Sequence, residues 1–416
     1  MERRHKIPLK LKLIRFKNSD FFSFTDKIIR FVKHPKKYSG LPKKILVFRN
    51  DRIGDAVITL PVLRDLKFNY PGLQIHIVCS EKNKFVFENF PYVDKLIVFS
   101  PPNWEQENLR GIFRIPVIGK AFQFFFHVLM ASVLDDEFRK FLFDLEIEKY
   151  DAVIDLIGKR RIAFIGRMVS KFSAGGRLFL LSWMYSYYMK TNWVSPYDKD
   201  FMSRKIQFLF EDSLNLKFED KIVELPYTGA EQKEEKEIDV FIHLGTGELR
   251  KFEPEKEIEI IQSLNNYKLI ITDGYESDSF KKLREYFKNF ENIEFKIYDK
   301  LTDIIPDVKK SKLMLSYDGG QTHLLAQYLP SVVIFGPGSV DLWKPYEFQD
   351  YKIVKEWDNN LRVIQSDGKY KHEVVHKKIW CSPCFDIGCK ERSCLGAITP
   401  GIIAETVKSK LRLQND

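Results

Sequence analysis

Several features are absent from these 416 residues, and each absence closes off a class of function. The Phe-rich uncharged run, AFQFFFHVLMASVL at 121–134, has 14 residues. A bilayer span needs about 20. The run reads as a buried helix, or as one lying in a membrane interface beside LFLLSWMYSYYM at 178–189, whose Trp and Tyr suit headgroup depth. No compact apolar segment with a small-residue cleavage site opens the chain, so no export signal is expected. GxGxxG follows neither candidate first strand, and no GxxxxGK loop ending in Ser or Thr occurs, which removes the main support for dinucleotide and P-loop readings. Cysteine is scarce, five in all. Without an export signal, disulfides are the less favoured use of them. No short-period repeat or low-complexity tract appears.

What is present describes a globular chain, 44% apolar and 30% charged, long enough for two domains rather than one core. The formal charge of +10 is concentrated at one end: residues 1–40 hold twelve Lys or Arg against three acids, a net +9, and leave the rest nearly neutral. This basic arm, with KIPLKLKLIRFKN and FFSFTDKIIRFVKHPKK, suits an anionic membrane surface. Nucleic acid is the rival partner, and a solvated terminus with no partner is the bland one.

After the arm, apolar strand patterns alternate with helical ones. KILVF leads into a helix behind Asp55; LQIHIVCS, KLIVFS and YDAVIDLIG follow, the last before KRRIAFIGRMVSKF. Residues 226–237, PYTGAEQKEEKE, read as a linker. The alternation then restarts through IDVFIHLG, YKLIITDG, IEFKIYD, KLMLSYD and SVVIFGPG, with helical segments between. It closes with TPGIIAETVKSKLRL, where Ile403, Val407 and Leu411 share a face. The expected fold is α/β, with two doubly wound, Rossmann-like domains facing across a cleft. The expected parts are a membrane-associating arm over 1–40, a first Rossmann-like domain over 41–225, a second over 226–398 that carries the cysteines at 381–394, and a helix over 399–416.

Chemistry is expected at strand ends, and three stand out: RNDRIGD after the first strand, HLGTGELRKFEPEK, and SYDGGQTH. A carboxylate, Asp55, sits where a nucleotide-binding turn would place glycines and amides. It can serve as a general base or cap its helix. In YDGGQTH, Gly319 and Gly320 let phosphate oxygens approach the amides of the following helix, with His323 in its first turn as a further donor. Asp318 and Gln321 also form a capping-box pattern. Lys159, Arg160 and Arg161 end another strand as an anion site or as a solvated run.

With Gly54, Asp55, Thr59, Leu60, Pro61 and Leu63 in the first motif, and with YDAVIDLIG, HLGTGELRKFEPEK, YDGGQTHLLA and VVIFGPG in that order, the chain resembles the ADP-heptose:lipopolysaccharide heptosyltransferases from residue 43 to about 345. These are glycosyltransferases of family 9, inverting enzymes of GT-B fold. The resemblance implies that the domain over 41–225 binds the acceptor, that the domain over 226–398 binds the nucleotide sugar, and that Asp55 is the catalytic base. It implies donor-binding roles for Gly245, Thr246, Arg250, Asp318, Gly319, Gly320 and His323, with Lys251 as the fallback cation and Glu276 near the family's donor-binding glutamate. Where the family usually has lysine two residues before an aromatic, this chain has Arg250 before Phe252. Charge is kept, and guanidinium grips phosphate bidentately. Acceptors in the family are anionic, which gives Arg49, Arg52, Lys159, Arg160 and Arg161 an acceptor-binding role. No Asp-x-Asp metal motif stands at a strand end, so catalysis is expected to need no cofactor.

The implied reaction is transfer of heptose from ADP-heptose to a lipid A-Kdo type lipopolysaccharide core, on the inner face of the cytoplasmic membrane. A different nucleotide sugar, or a protein acceptor as in the autotransporter-modifying branch, is the alternative. A basic zinc-containing nucleic-acid-binding protein is the non-enzyme alternative, disfavoured because no amphipathic reading helix follows the cysteines. Cys381, Cys384, Cys389 and Cys394 can together supply a closed structural site for zinc, or ligands for iron. Cys79 reads as a buried strand residue.

Overall fold

The computed structural model describes residues 36–99, 136–176, 185–189, 201–218, 235–247, 250–345, 351–357, 361–366, 372–379, 381, 389 and 391–415. The chain divides into two compact units, one of Met1–Arg52, Val62–Ser195 and Ser203–Ile222, the other of Ile53–Pro61, Pro196–Met202 and Val223–Asp416. Most of the basic arm, 1–35, and the Phe-rich run at 121–134 lie outside the described residues. So do 178–184 of the second interfacial candidate and most of the proposed linker. Among the described residues no helix is long and apolar enough to cross a membrane.

The first unit is built on six parallel strands: β1 Lys44–Phe48, β2 Gln74–Cys79, β3 Lys95–Val98, β4 Ala152–Asp155, β5 Ser173–Gly175 and β6 Tyr187–Tyr188. Their order is β3-β2-β1-β4-β5-β6, the Rossmann order. Strand β1 pairs on both sides and is covered on both faces. Its residues 45–48 are therefore apolar without alternation, and all are fully buried. Helix α1, Ile53–Asn69, leaves the end of β1, and its first residues, Ile53–Pro61, group with the second unit. Helix α2, Asp136–Ile147, buries Phe138, Phe141, Leu142 and Leu145, the one-faced spacing of an amphipathic helix. Helix α3, Arg160–Val169, carries the chain from β4 to β5.

Tyr185, Tyr187 and Tyr188 belong to this core rather than to a membrane interface. Each is at most 4% exposed; the Tyr185 hydroxyl donates to Asp155 and that of Tyr187 to Asp212. Cys79 is fully buried, as expected, and burial pushes its thiol up to about 11.

The second unit holds β7 Ile238–His243, β8 Leu269–Thr272, β9 Ile293–Lys296, β10 Ser311–Tyr317, β11 Ser331–Phe335, β12 Tyr351–Trp357, β13 Leu361–Ser366 and β14 Glu373–Lys377. Its parallel run, β9-β8-β7-β10-β11-β14, repeats the first sheet's order strand for strand. Strand β13 pairs antiparallel with β14 and with β12, which extends the edge. Helices α4 Pro254–Ser263, α5 Asp278–Tyr286 and α6 Gly320–Leu325 follow β7, β8 and β10, and α7 Pro400–Asn415 closes the chain. Ile403, Val407 and Leu411 face the core from α7 and are at most 3% exposed. Burying each such side chain stabilises the unit by roughly 1.5–3 kcal/mol.

Candidate functional site

Strands β7 and β10 are hydrogen-bonded neighbours, so the turns leaving their carboxyl ends lie side by side. Thr246 Oγ1 donates to the Asp318 carbonyl at 3.0 Å. A Cβ added to Gly319 would stand 3.4 Å from the Gly245 carbonyl oxygen, so the two turns are packed together. The Gly245 N–H donates to His243 Nδ1 at 3.1 Å, which keeps that nitrogen unprotonated. Burial pushes His243 down to about 4, in agreement.

Asp318 follows β10 directly and is buried. Burial raises its carboxyl to about 6 against the pull of Arg250, whose Nη1 lies 3.9 Å from Oδ2. Arg250 is half-buried, and its guanidinium keeps contact with solvent. Helix α6 begins immediately behind. Gly319 is its N-cap with no side-chain cap, so the capping box expected from Asp318 and Gln321 does not form: Asp318 lies one residue outside the N-cap position. The opening amides of any helix lack intrahelical acceptors, and two glycines leave them uncovered. His323, in the first turn, is 6% exposed, and its Nδ1 is buried with no hydrogen-bond partner among the described residues. Burial pushes this ring down to about 4, so it is neutral at physiological pH.

Asp55 reaches this place through its neighbour. Gly54 packs face to face with Gly320: a Cβ on Gly54 would fall 2.7 Å from Gly320 Cα and 3.2 Å from His323 Cδ2. Only two residues without side chains allow that approach. Asp55 is therefore held beside the start of α6, half-buried, in the first turn of α1. The α1 N-cap is Arg52, whose side chain makes no capping bond.

The remaining expected site residues have their own partners and exposures. Lys251 is 1% exposed and paired with Asp273, its Nζ 3.2 Å from Oδ2, so its charge is spent inside the unit. Glu276 is exposed and pairs with Arg284 at 2.6 Å. In the first unit Arg49 is 1% exposed, with Nη1 at 3.1 Å from Asp51 Oδ2, rather than presented at an open surface. Arg52 and Lys159 are exposed and Arg161 is half-buried; the Arg160 side chain lies outside the described residues. Cys394 is buried in the apolar core, Cys381 and Cys389 are half-buried, and Cys384 lies outside the described residues. Among the described residues no group of three or more His, Cys, Asp or Glu could hold a metal.

No family model matches the chain. Over 322 residues it is 24% identical to lipopolysaccharide heptosyltransferase 1 of Campylobacter coli, a match covering 70% of this chain and 84% of that relative. The chain is heptosyltransferase-like. The heptosyltransferase WaaC of E. coli, solved with ADP, superposes at TM-score 0.60 and 18% identity, covering 88% of this chain and 99% of WaaC. WaaC has also been solved with ADP-2-deoxy-2-fluoro heptose. The E. coli ADP-heptose lps heptosyltransferase II gives a TM-score of 0.60 at 15% identity, covering 90% and 100%. The fold of this heptosyltransferase-like chain is thus GT-B, with two Rossmann-like units.

One set of site-supporting residues was not anticipated from sequence. Glu257, Tyr317 and Ser279 form a buried hydrogen-bonded group behind Arg250. Burial raises Glu257 to about 7, against its hydrogen bonds and Lys251. A signal was present: Glu257 stands with Ile260, Ile261 and Leu264 at the spacing of the buried face of α4.

Proposed function

We propose that the chain transfers heptose from ADP-heptose to an anionic, lipid-linked lipopolysaccharide-core acceptor, with inversion at the anomeric carbon. The observation that supports this reading is the Gly54–Gly320 packing: Asp55 is the residue after Gly54, a Cβ on Gly54 would also meet His323, and Arg250 faces Asp318 two residues before Gly320. The Asp55 carboxylate accepts the proton of the acceptor hydroxyl as its oxygen bonds to the anomeric carbon. The bond from that carbon to the diphosphate oxygen breaks on the opposite face. Negative charge then grows on the departing ADP, where Arg250, the opening amides of α6 and the His323 ring stabilise it. Gly245 and Thr246 shape the same wall. Arg52, Lys159 and Arg161 supply positive charge for the acceptor's acidic groups. The basic arm would hold the protein at the inner membrane face, where such an acceptor resides. A closed thiolate site at the four cysteines, if formed, would brace the second unit without entering the reaction.

The test is transfer from ADP-heptose to a Kdo-bearing lipid acceptor by the full chain and by Asp55→Asn. Turnover should fall by about 10²–10⁴-fold, with ADP affinity held within about twofold. Wild-type turnover in Asp55→Asn removes the base. Transfer from a different nucleotide sugar, with none from ADP-heptose, redirects the reading to another donor.

A further inference from the structure

Three consecutive residues behind the Thr246 turn are tied to three different groups of the second unit. Arg250 faces Asp318, Lys251 pairs with Asp273, and the Phe252 N–H donates to the Tyr317 hydroxyl at 3.2 Å. The Phe252 ring meets the Tyr317 ring edge-on, with centroids 5.7 Å apart. Tyr317 is the last residue of β10, next to Asp318. Its hydroxyl donates to Glu257 Oε1 at 3.0 Å, and Glu257 Oε2 accepts from Ser279 Oγ at 3.0 Å. Glu257 is 2% exposed on the apolar face of α4. A carboxylate in that position carries a desolvation cost that an apolar side chain would avoid.

The arrangement gives that carboxylate a use. By taking the Tyr317 O–H, Glu257 turns the oxygen lone pairs toward the Phe252 N–H, and the backbone two residues after Arg250 is held in one position. We propose that Tyr317, oriented by Glu257, is a positioning residue that sets Arg250 toward the donor diphosphate. The proposal rests on the reading of Arg250 as a diphosphate ligand. A guanidinium aimed before the ligand arrives saves the ordering cost that a mobile one would incur on binding. Lys251 contributes from the other side, since its pairing with Asp273 keeps a second cation from swinging into the site.

Calorimetric titration of the full chain with ADP tests this in a cycle of Tyr317→Phe, Arg250→Ala and the double variant. Tyr317→Phe keeps the ring against Phe252 and removes only the hydroxyl. It should weaken ADP binding about tenfold, and add nothing in the Arg250→Ala background, where no guanidinium remains to be positioned. An additive loss, or no loss in Tyr317→Phe while Arg250→Ala binds weakly, overturns the positioning role alone. Unchanged affinity in Arg250→Ala overturns the diphosphate reading, and the clamp with it. If Tyr317→Phe does not fold, Glu257→Gln replaces it in the same cycle with the same expected non-additivity.

Discussion

Asp155 and Asp318 stand at the same place in two copies of one sheet order, at the carboxyl ends of β4 and β10. Both are buried, and burial raises both to about 6. Their surroundings differ. Asp155 Oδ1 accepts from the amides of Ile157 and Gly158 at 2.8 and 2.9 Å, Oδ2 accepts from Tyr185 at 2.5 Å, and Arg49 adds its attraction. Its hydrogen-bonding capacity is consumed by the turn that follows it. Asp318 instead faces a half-exposed arginine at 3.9 Å, beside a histidine nitrogen with no partner among the described residues and a helix start lined with glycine. Two aspartates with the same burial therefore have different uses. Where the fold satisfies the carboxylate, the residue is structural; where polar capacity is left over, a ligand can take it.

Glycine substitutions on the two sides give the largest expected contrast. Gly54→Ala would drive a methyl group into Gly320 and push Asp55 away from the start of α6. Turnover should fall about 100-fold, as a misplacement near 1 Å does at a reacting centre. Gly158, at φ 73°, follows Asp155 with open space around its Cβ position. Gly158→Ala should cost about 1 kcal/mol in thermal unfolding, through its left-handed backbone alone, and leave turnover intact. Equal turnover losses in the two variants would dissolve the contrast.

Tyr185→Phe sharpens it further. The variant deprives a buried carboxylate of its side-chain donor and should lower the unfolding free energy by about 1–3 kcal/mol, read by denaturant titration. ADP affinity should stay within about twofold, because the loss lies in the first unit's structural turn. A large drop in ADP affinity would mean that the first unit's aspartate also serves the donor.

The strand ends were legible because buried parallel strands are unbroken apolar runs, and KILVF, IDVFIH and KLMLSY became β1, β7 and β10 nearly residue for residue. Strands β7 and β10 are neighbours, so Thr246, Arg250 and Gly319–His323 can be grouped from order alone; Asp55 follows β1 in the other sheet, and only the Gly54–Gly320 contact ties it to them. Strands β12 and β13 were not among the expected strands, and charged residues interrupt the apolar pattern of both segments. The burial of Arg49 and Lys251 was not legible either. A cation goes inside only when a partner meets it there, and the partners Asp51 and Asp273 are fixed by tertiary packing.

The smallest expected effect separates the two aspartates by pH. A carboxyl raised from 3.8 to about 6 holds its proton more tightly when folded, so the stability it contributes is full below about pH 3.8 and lost as pH rises through about 6. Asp318→Asn removes that titration and keeps the shape. At pH 7 it should stabilise the chain by about 1–3 kcal/mol, the rise to about 6 already including the pull of Arg250, and the gain should vanish toward about pH 4. Asp155→Asn removes a titration of the same sign. Its amide oxygen can keep the Ile157 and Gly158 bonds, but its N–H2 meets the Tyr185 hydroxyl, whose buried proton loses its acceptor at a cost of about 1–3 kcal/mol at every pH. Buried His243 and His323, each pushed down to about 4, lose their stabilising share as pH falls below 6.5. That background is common to wild type and variants and cancels in the difference. Melting curves from about pH 4 to 8 should therefore show Asp318→Asn at wild-type stability near pH 4 and above it at pH 7, with Asp155→Asn below Asp318→Asn throughout. If they move together, the carboxylates share one environment, and the spare capacity assigned to Asp318 is not there.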